Sequence, residues 1–301
     1  MTPILHQTKK GTIVAHHGIA VDILFESGER QMVNVKKRSG HVVGDRVTVK
    51  DGVIERLPRR TQLCRRNSRG SVQTVGANLD VLGVVVSILP LPPFGFIDQA
   101  IVTARQAGLT PVLVVNKSDL EGSDLFAAQL KKMYADAVDI FVVSADTGQG
   151  LDAFTSFLGQ GYTGFFVGIT GVGKSSLINA MLPEQDLRVG ELYDAGKRGC
   201  NTTTVSTLHS LKGGGQIVDT PGFNEFGLVD ICAQDLAGFF PGFEKALETP
   251  CRFRDCLHHT EPGCSVQHLV ETGGILQERY DTYLQILGHL EAGEQRFKTR
   301  R

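Results

Sequence analysis

A glycine-rich stretch in the second half of the chain has the composition of a phosphate-binding loop. The sequence GITGVGKSS, residues 168–176, fits the pattern G-x-x-x-x-G-K-[ST] between an apolar run and a predicted helix. Glycines let the backbone wrap closely around phosphate, and amides at the helix start point at the anion. In this pattern Lys174 reaches the β- and γ-phosphates and Ser175 binds Mg²⁺. The candidate phosphate-loop residues are Gly168, Thr170, Gly171, Val172, Gly173, Lys174, Ser175 and Ser176.

A second polar motif, NKSD at residues 116–119, also follows an apolar run. The Asp119 carboxylate can accept hydrogen bonds from guanine N1–H and the exocyclic amine, whereas adenine would leave it unpaired. Alone the tetrapeptide is a weak signal, because Asn and Asp are common turn formers after strands. Beside a phosphate loop on the same sheet it predicts a loop that binds guanine. The predicted base-contacting residues are Asn116, Lys117, Asp119, Ser144 and Ala145.

Two later motifs are candidates for binding Mg²⁺ and the γ-phosphate. DTPG, residues 219–222, ends an apolar run, so Asp219 can hold Mg²⁺ through water and the Gly222 amide can meet the γ-phosphate. Loss of that phosphate would release the loop that follows. NTTT, residues 201–204, lies where a switch threonine would complete the Mg²⁺ shell. We choose the middle threonine, Thr203, although the three neighbours leave the choice open and the start of a strand is the alternative.

The order of these elements is unusual. Together they resemble a GTPase, but the chain runs from base loop to phosphate loop to switch threonine to DTPG. A circular permutation explains this order, because the sheet can stay intact if the usual ends are joined and the chain is opened after DTPG. The second switch then leads directly into the segment behind it.

That segment contains a cluster of metal-binding residue types. Cys251, Cys256, His258 and Cys264 have the spacing C-x4-C-x-H-x5-C. Three thiolates and one imidazole fill a tetrahedral Zn²⁺ site with no open position, which predicts a structural metal. His259 is a competing ligand by adjacency, and buried thiols or a redox site are the alternatives.

Composition limits the class of protein. A chain of 301 residues with 41% hydrophobic and 21% charged residues is typical of a soluble protein of two or three domains. The most apolar run, VLGVVVSILPL, is too short to span a bilayer, and the N-terminus lacks the apolar core of a signal peptide. Six cysteines do not suggest a disulfide scaffold, so we expect a cytoplasmic protein.

The elements that must position these residues differ along the chain. Up to about Asp51, short alternating runs predict four or five strands of a small β-barrel, of which the OB-fold is an example. Residues 56–70 have little apolar periodicity and are predicted to be a basic linker, solvated rather than a binding arm. Residues 1–70 carry a net charge of +8 and the remainder −9, which suggests a polyanionic partner for the N-terminal module.

From about Ala77, apolar runs alternate with helical patterns and predict a parallel sheet covered on both faces. The expected strands lie near 81–89, 111–115, 139–143, 164–169, 206–211 and 216–219, and the expected helices near 96–107, 124–135 and 151–158 and from the phosphate loop to about Met181. Nearer the C-terminus, leucines and a tyrosine recur at helical spacing and are expected to be core contacts. These residues are Leu276, Tyr280, Leu284, Leu287 and Leu290.

The permuted order, the basic β-barrel and the sequence CRFRDCLHHTEPGC resemble the RsgA (YjeQ) family, as do GDRV at 44–47 and EFGL at 225–228. The resemblance covers essentially the whole chain. It implies an α/β fold with an OB-fold RNA-binding domain and basic linker over residues 1–70, a circularly permuted P-loop GTPase domain over 71–228 and a zinc-binding α-helical domain over 229–301. The implied cofactors are GTP or GDP, Mg²⁺ and Zn²⁺.

The resemblance also implies a function. Members of the family act in late maturation of the small ribosomal subunit, which stimulates their GTP hydrolysis, and we expect this chain to be a monomer that binds that subunit and its rRNA and no membrane. Two alternatives remain. One is an RNA-binding assembly chaperone in which GTP is mainly a structural ligand, and the other is a permuted GTPase that acts on the large subunit.

Two departures limit the catalytic assignment. Phe223 follows DTPG where many signalling GTPases carry the glutamine that orients water. Asn201 occupies the position before the threonines where the family often carries histidine, and an amide cannot act as a general base. We therefore expect slow intrinsic hydrolysis, with Lys174 and Thr203 as the catalytic assignments.

Overall fold

The structure is a computed structural model that describes residues 8–36, 39–66, 70–182, 205–220, 228–229 and 231–298. The strands are β1 (Lys9–His16), β2 (Ala20–Phe25), β3 (Arg30–Asn34), β4 (Arg46–Lys50), β5 (Val53–Arg56), β6 (Gln62–Arg66), β7 (Val72–Ala77), β8 (Val81–Val86), β9 (Thr110–Val115), β10 (Asp139–Val142), β11 (Thr163–Val167), β12 (Ser206–Ser210) and β13 (Gln216–Asp219). The helices are α1 (Phe96–Gln106), α2 (Ser123–Tyr134), α3 (Leu151–Leu158), α4 (Lys174–Met181), α5 (Leu236–Phe239), α6 (Glu244–Leu247), α7 (Ser265–Glu271) and α8 (Gln277–Lys298).

The first five strands form a small antiparallel module around one apolar core. Strand β1 pairs with both β2 and β4, β2 pairs with β3, and β4 pairs with β5. The turn between β4 and β5 is made by Asp51 and Gly52, which both have positive φ as a two-residue hairpin turn requires. The alternating residues that fill the core are Ile13, Val21, Ile23, Phe25, Val33, Val47 and Val49. Five strands around this core agree with the predicted small barrel.

The expectation of a solvated linker over residues 56–70 was wrong. Strand β6 lies within that range, and it pairs with β7 to form a separate two-stranded sheet. Just before it, Arg59 donates from Nε and Nη2 to the two carboxylate oxygens of Asp45 at 2.7 and 2.9 Å, and Asp45 is fully buried. Arg60 donates to Asp80 at 2.6 Å. Arg59 and Arg60 therefore form ion pairs that hold this segment to its neighbours.

A mixed sheet follows, in the strand order β10-β9-β8-β11-β13-β12. The first five of these strands are parallel, and β12 is antiparallel to β13. Buried side chains form one apolar cluster with α1 and α2 and a second with α3 and α4, as expected for a sheet covered on both faces. Strand β12 also pairs with β1, so the N-terminal module continues the same sheet.

The four C-terminal helices surround an aromatic core. The rings of Phe240, Phe243 and Tyr283 lie with centroids 4.8 to 5.2 Å apart. Of the residues expected in this core, Tyr280 and Leu287 are buried and Leu284 and Leu290 pack against the cluster, but Leu276 is 37% exposed. Leu276 precedes the first residue of α8, so it does not share the buried helix face. Among the described helices, none combines the length and the apolarity needed to cross a membrane.

Candidate functional site

The phosphate-loop candidate joins the end of β11 to the start of α4. Two of its glycines are required by close contacts. A Cβ on Gly168 would lie 2.5 Å from the Val85 carbonyl oxygen, and a Cβ on Gly173 would lie 2.5 Å from Asn116 Nδ2. Gly173 also has a φ of 91°. The loop therefore passes so close to the neighbouring strand end and the base-loop candidate that only glycine fits.

Lys174 begins α4 and turns its ammonium group back into this loop. Its Nζ donates to the carbonyls of Gly168 at 2.6 Å and Ile169 at 3.2 Å. Burial lowers the pKa of Lys174, and the nearby charge of Asp219 opposes that shift. Ser175 is exposed in the first turn of the same helix, where its hydroxyl is accessible to a cation. These positions suit a lysine and a serine that meet phosphate and Mg²⁺.

Asn116 connects three loops at the carboxyl edge of the sheet. The residue is 1% exposed, its Nδ2 donates to the Val172 carbonyl at 2.9 Å, and its Oδ1 accepts from the Ala145 amide at 3.1 Å. One side chain thus joins the loop after β9, the phosphate loop and the loop after β10. The predicted base-loop and phosphate-loop residues are brought together although the chain order is permuted.

Lys117 lies across the phosphate loop. It has a left-handed backbone with φ 62°, and its Nζ donates to the carbonyls of Gly171 and Leu89, each at 2.7 Å. The contact to Leu89 was not anticipated, because β8 was expected to reach that residue. The strand ends at Val86, and residues 87–95 form a loop whose Pro90 ring lies beside Gly171. The prolines in SILPLPPFG were the available signal that the strand ends earlier.

Asp119 is exposed, and a neighbouring buried hydroxyl orients its carboxylate. Ser144 Oγ donates to Asp119 Oδ1 and accepts from the Thr147 amide at 3.1 Å. Ser144 itself is fully buried. The carboxylate is therefore held at the sheet edge with its second oxygen available, which is the arrangement that donors on a guanine base require.

Asp219 ends β13, two strands from β8 in the sheet. Burial raises its pKa, while His209 and Lys174 lower it through their charges. The proximity of Lys174 places this carboxylate beside the phosphate loop, where a water-mediated Mg²⁺ contact was predicted. Four other predicted or discussed positions, Asn201, Thr203, Gly222 and Phe223, lie outside the described residues.

The cysteine and histidine candidates converge at one point in the C-terminal helical region. The ligand atoms of Cys251, Cys256, His258 and Cys264 all lie within 4.8 Å of one another. His258 Nδ1 is 3.5, 3.6 and 3.3 Å from the sulfurs of Cys251, Cys256 and Cys264. A tetrahedron with the usual Zn–S and Zn–N bond lengths has S···N edges of about 3.5 Å, so this donor set fits zinc. The cluster contains His258, and the competing His259 does not join it.

Hydrogen bonds support the cluster from outside. The amides of Ser265 and Gln267 donate to the sulfurs of Cys251 and Cys264, which favours thiolates. Tyr280 Oη donates to the His258 carbonyl at 2.7 Å. Burial lowers the pKa of His258 and so favours the neutral imidazole that a metal requires.

Comparisons with known proteins show which family the chain belongs to. Residues 56–229 match the RsgA GTPase family. A protein of Pseudomonas fluorescens strain Pf-5 named small ribosomal subunit biogenesis GTPase RsgA is 37% identical, over 93% of this chain and 85% of that protein. A protein of the same name from Haemophilus influenzae strain 86-028NP is 36% identical, over 95% of this chain and 86% of that protein.

Solved structures give the same result. YjeQ from Thermotoga maritima superposes with a TM-score of 0.74 at 31% identity, over 94% of this chain and 99% of YjeQ. YloQ, described as a circularly permuted GTPase, has a TM-score of 0.69 at 23% identity, over 97% of this chain and 98% of YloQ, and supports the fold. With the permuted motifs at one sheet edge and relatives of this similarity, the chain belongs to the RsgA family of circularly permuted GTPases.

Proposed function

We propose that this GTPase binds the small ribosomal subunit, assists its late maturation and leaves it after hydrolysing GTP to GDP and phosphate. The proposal rests on the contact of Asn116 with Val172 and Ala145, which joins the predicted base loop to the phosphate loop. The chain also matches proteins that are named for small-subunit biogenesis. A site that binds guanine and phosphate together can link a nucleotide state to a binding state.

The nucleotide roles follow from the positions of the side chains. Asn116 and Lys117 fix the base loop on the phosphate loop, and Asp119 presents its oriented carboxylate to guanine. Lys174 stabilises phosphate charge. Mg²⁺ would neutralise the phosphates further, held by Ser175, by Thr203 and, through water, by Asp219, while the Gly222 amide would meet the γ-phosphate. Because Phe223 stands where many signalling GTPases carry the water-orienting glutamine, and Asn201 cannot act as a general base, we expect slow turnover until the ribosomal subunit completes the site.

We assign Zn²⁺ to Cys251, Cys256, His258 and Cys264 as a structural ion. The four donors leave no position for substrate, and three of the four surrounding helices have at most seven residues, so a metal would replace part of the core that these short helices lack. The segment after Asp219 leads directly into this helical region, so the nucleotide state can reach it without a further domain in between.

We assign RNA contact to the N-terminal module. Its net charge of +8 over residues 1–70 favours phosphate backbones, and many of its cations are exposed. Those exposed on its strands and loops include Lys10, Arg30, Lys36, Arg46 and Lys50. The proposed units are residues 1–70, 71–228 and 229–301, and the β6–β7 sheet crosses the first of these boundaries. The protein is proposed to work as a monomer in the cytoplasm, where ribosomal subunits mature.

Co-sedimentation tests the proposal. The purified chain is mixed with small subunits in the presence of a non-hydrolysable GTP analogue or GDP and centrifuged through sucrose. We expect the analogue to retain the protein on the subunit and GDP to release it. If GTP acts as a switch, Lys174→Ala should fail to bind the subunit productively or should remain on it. If the protein is a chaperone that uses GTP only for stability, this variant should still be released from the subunit. Equal binding of the unaltered protein in both nucleotides would refute the switch.

A further inference from the structure

Helix α8 of the C-terminal region contacts the start of α1 in the nucleotide-binding domain. Arg279 and Thr282 are three residues apart, share one face of α8, and are 4% and 5% exposed. A Cβ on Gly95, the residue before α1, would lie 3.3 Å from the Thr282 methyl group. Thr282 therefore packs directly against the point at which α1 begins.

Arg279 extends the contact through a chain of three side chains. Its guanidinium carbon lies 5.1 Å from the centroid of the Tyr134 ring, a cation–π distance. Tyr134 Oη donates to Asp98 Oδ2 at 2.9 Å. Asp98 belongs to the first turn of α1 and is 3% exposed. Helices α8, α2 and α1 are thus linked by two buried charges with an aromatic ring between them.

The charges in this chain are only partly compensated. In the part of the protein that the structure describes, Asp98 Oδ1 and Arg279 Nε and Nη2 are buried without a hydrogen-bond partner. Arg279 Nη1 reaches the Asp136 carboxylate at 3.4 Å, a long contact. A buried charge destabilises the folded protein unless it is paired. The stability of this interface therefore depends on the position of α1 relative to α8.

The other end of the loop before α1 contacts the nucleotide site. Residues 87–95 connect β8 to α1, and in this loop the Leu89 carbonyl accepts from Lys117 and Pro90 lies beside Gly171 of the phosphate loop. Gly95, which Thr282 contacts, is six positions after Leu89. A shift of α1 would therefore move the groups that hold Lys117.

We propose that Arg279 is a positioning residue for the GTPase site: through Tyr134 and Asp98 it holds α1, and α1 holds the loop that supports Lys117 and the phosphate loop. The C-terminal region then has a connection to the nucleotide that is separate from the segment after Asp219. The proposal rests on GTP binding by the family and is independent of the ribosomal partner.

The test compares GDP dissociation constants of full-length variants by calorimetry. Arg279→Met removes the charge and keeps an unbranched apolar stem, Arg279→Lys keeps the charge, and Gln285→Met makes the control change on the exposed face of the same helix. We expect Arg279→Met to weaken GDP binding at least about fivefold, the lower end of usual coupling between sites. Arg279→Lys should bind GDP within about twofold of the unaltered protein because it keeps the cation. Gln285→Met should also bind GDP within about twofold, because it leaves the whole contact in place.

Tyr134→Phe supplies an independent test that keeps the ring and the packing. It removes the hydroxyl that donates to Asp98, so GDP binding should weaken in the same direction but by less. Equal losses in Arg279→Met and Arg279→Lys would assign the residue a packing role and overturn the proposal. GDP binding unchanged in Arg279→Met would also overturn it, and if that variant does not fold, unchanged binding in Tyr134→Phe decides against it.

Discussion

The side-chain amide of Asn116 donates to the backbone carbonyl of Val172, 56 positions later in the chain, at 2.9 Å. The same side chain accepts from the Ala145 amide at 3.1 Å. The permutation therefore changes the order of the nucleotide loops but leaves them in contact.

Asn116→Ala should weaken GDP binding at least about tenfold. The change leaves the Val172 carbonyl and the Ala145 amide without their partner, and an unpaired buried polar group costs about 1–3 kcal/mol. Calorimetric titration with GDP measures the effect. Asn179→Ala, the same substitution at an exposed position of α4, should bind GDP normally. Equal affinity of both variants would contradict the role given to Asn116.

Asp119→Asn should change the preferred base from guanine to xanthine. The carboxylate can accept from the donors at N1 and C2 of guanine, whereas an amide can donate to the carbonyl that xanthine carries at C2. Competition between GDP and xanthosine diphosphate measures the preference. Asp124→Asn, at an exposed position early in α2, serves as the control. Continued preference of Asp119→Asn for GDP would exclude this carboxylate from base recognition.

Cys256→Ser should lose zinc and lower the melting temperature. The unaltered chain is expected to bind about one zinc ion, because its four donors form one closed set. Elemental analysis after dialysis gives the metal content. Cys232→Ser, in the same region but outside the cluster, should keep the ion. Zinc at the same stoichiometry in both variants would show that the cluster is not the site.

Asp98→Asn should change how stability depends on pH. Burial raises the Asp98 pKa to about 6, although the Tyr134 hydrogen bond and Arg279 oppose the shift. The folded state therefore holds the proton more tightly than the unfolded state, and the unaltered protein loses stability as pH rises from about 4 to 6. Asp98→Asn has no carboxyl group to titrate at this position, so its free energy of unfolding should not fall in this way. The fall in the unaltered protein can reach about 3 kcal/mol. Urea unfolding across that range measures it, and parallel stability curves for the two proteins would contradict a raised pKa.

The sequence could predict that the two candidate nucleotide motifs meet, because these motifs fix spacing as well as residue type. NKSD and GITGVGKSS each follow a buried parallel strand, so both had to reach the carboxyl edge of the sheet. The cysteine spacing likewise predicted the four converging donors with His258 as the histidine, and the competing His259 lies outside the cluster. His258 has a left-handed backbone, with φ 58°, which a pattern of residue types does not predict.

The contacts that sequence reasoning missed are long-range ones. Charge alone predicts that residues 56–70 are solvated, but the buried carboxylate of Asp45 pairs with Arg59 at a separation of 14 positions. The Leu89 carbonyl became a partner of Lys117 only because β8 ends three residues earlier than its apolar run suggests. Every residue has a backbone carbonyl, so residue type does not predict which carbonyl accepts such a hydrogen bond.

GTP turnover with and without purified small ribosomal subunits decides whether this chain is a GTPase that the small subunit stimulates. We expect slow hydrolysis by the chain alone, strong stimulation by small subunits, little stimulation by large subunits, and no stimulation of Lys174→Ala. The absence of stimulation by small subunits, or stimulation by large subunits instead, would contradict the proposed function.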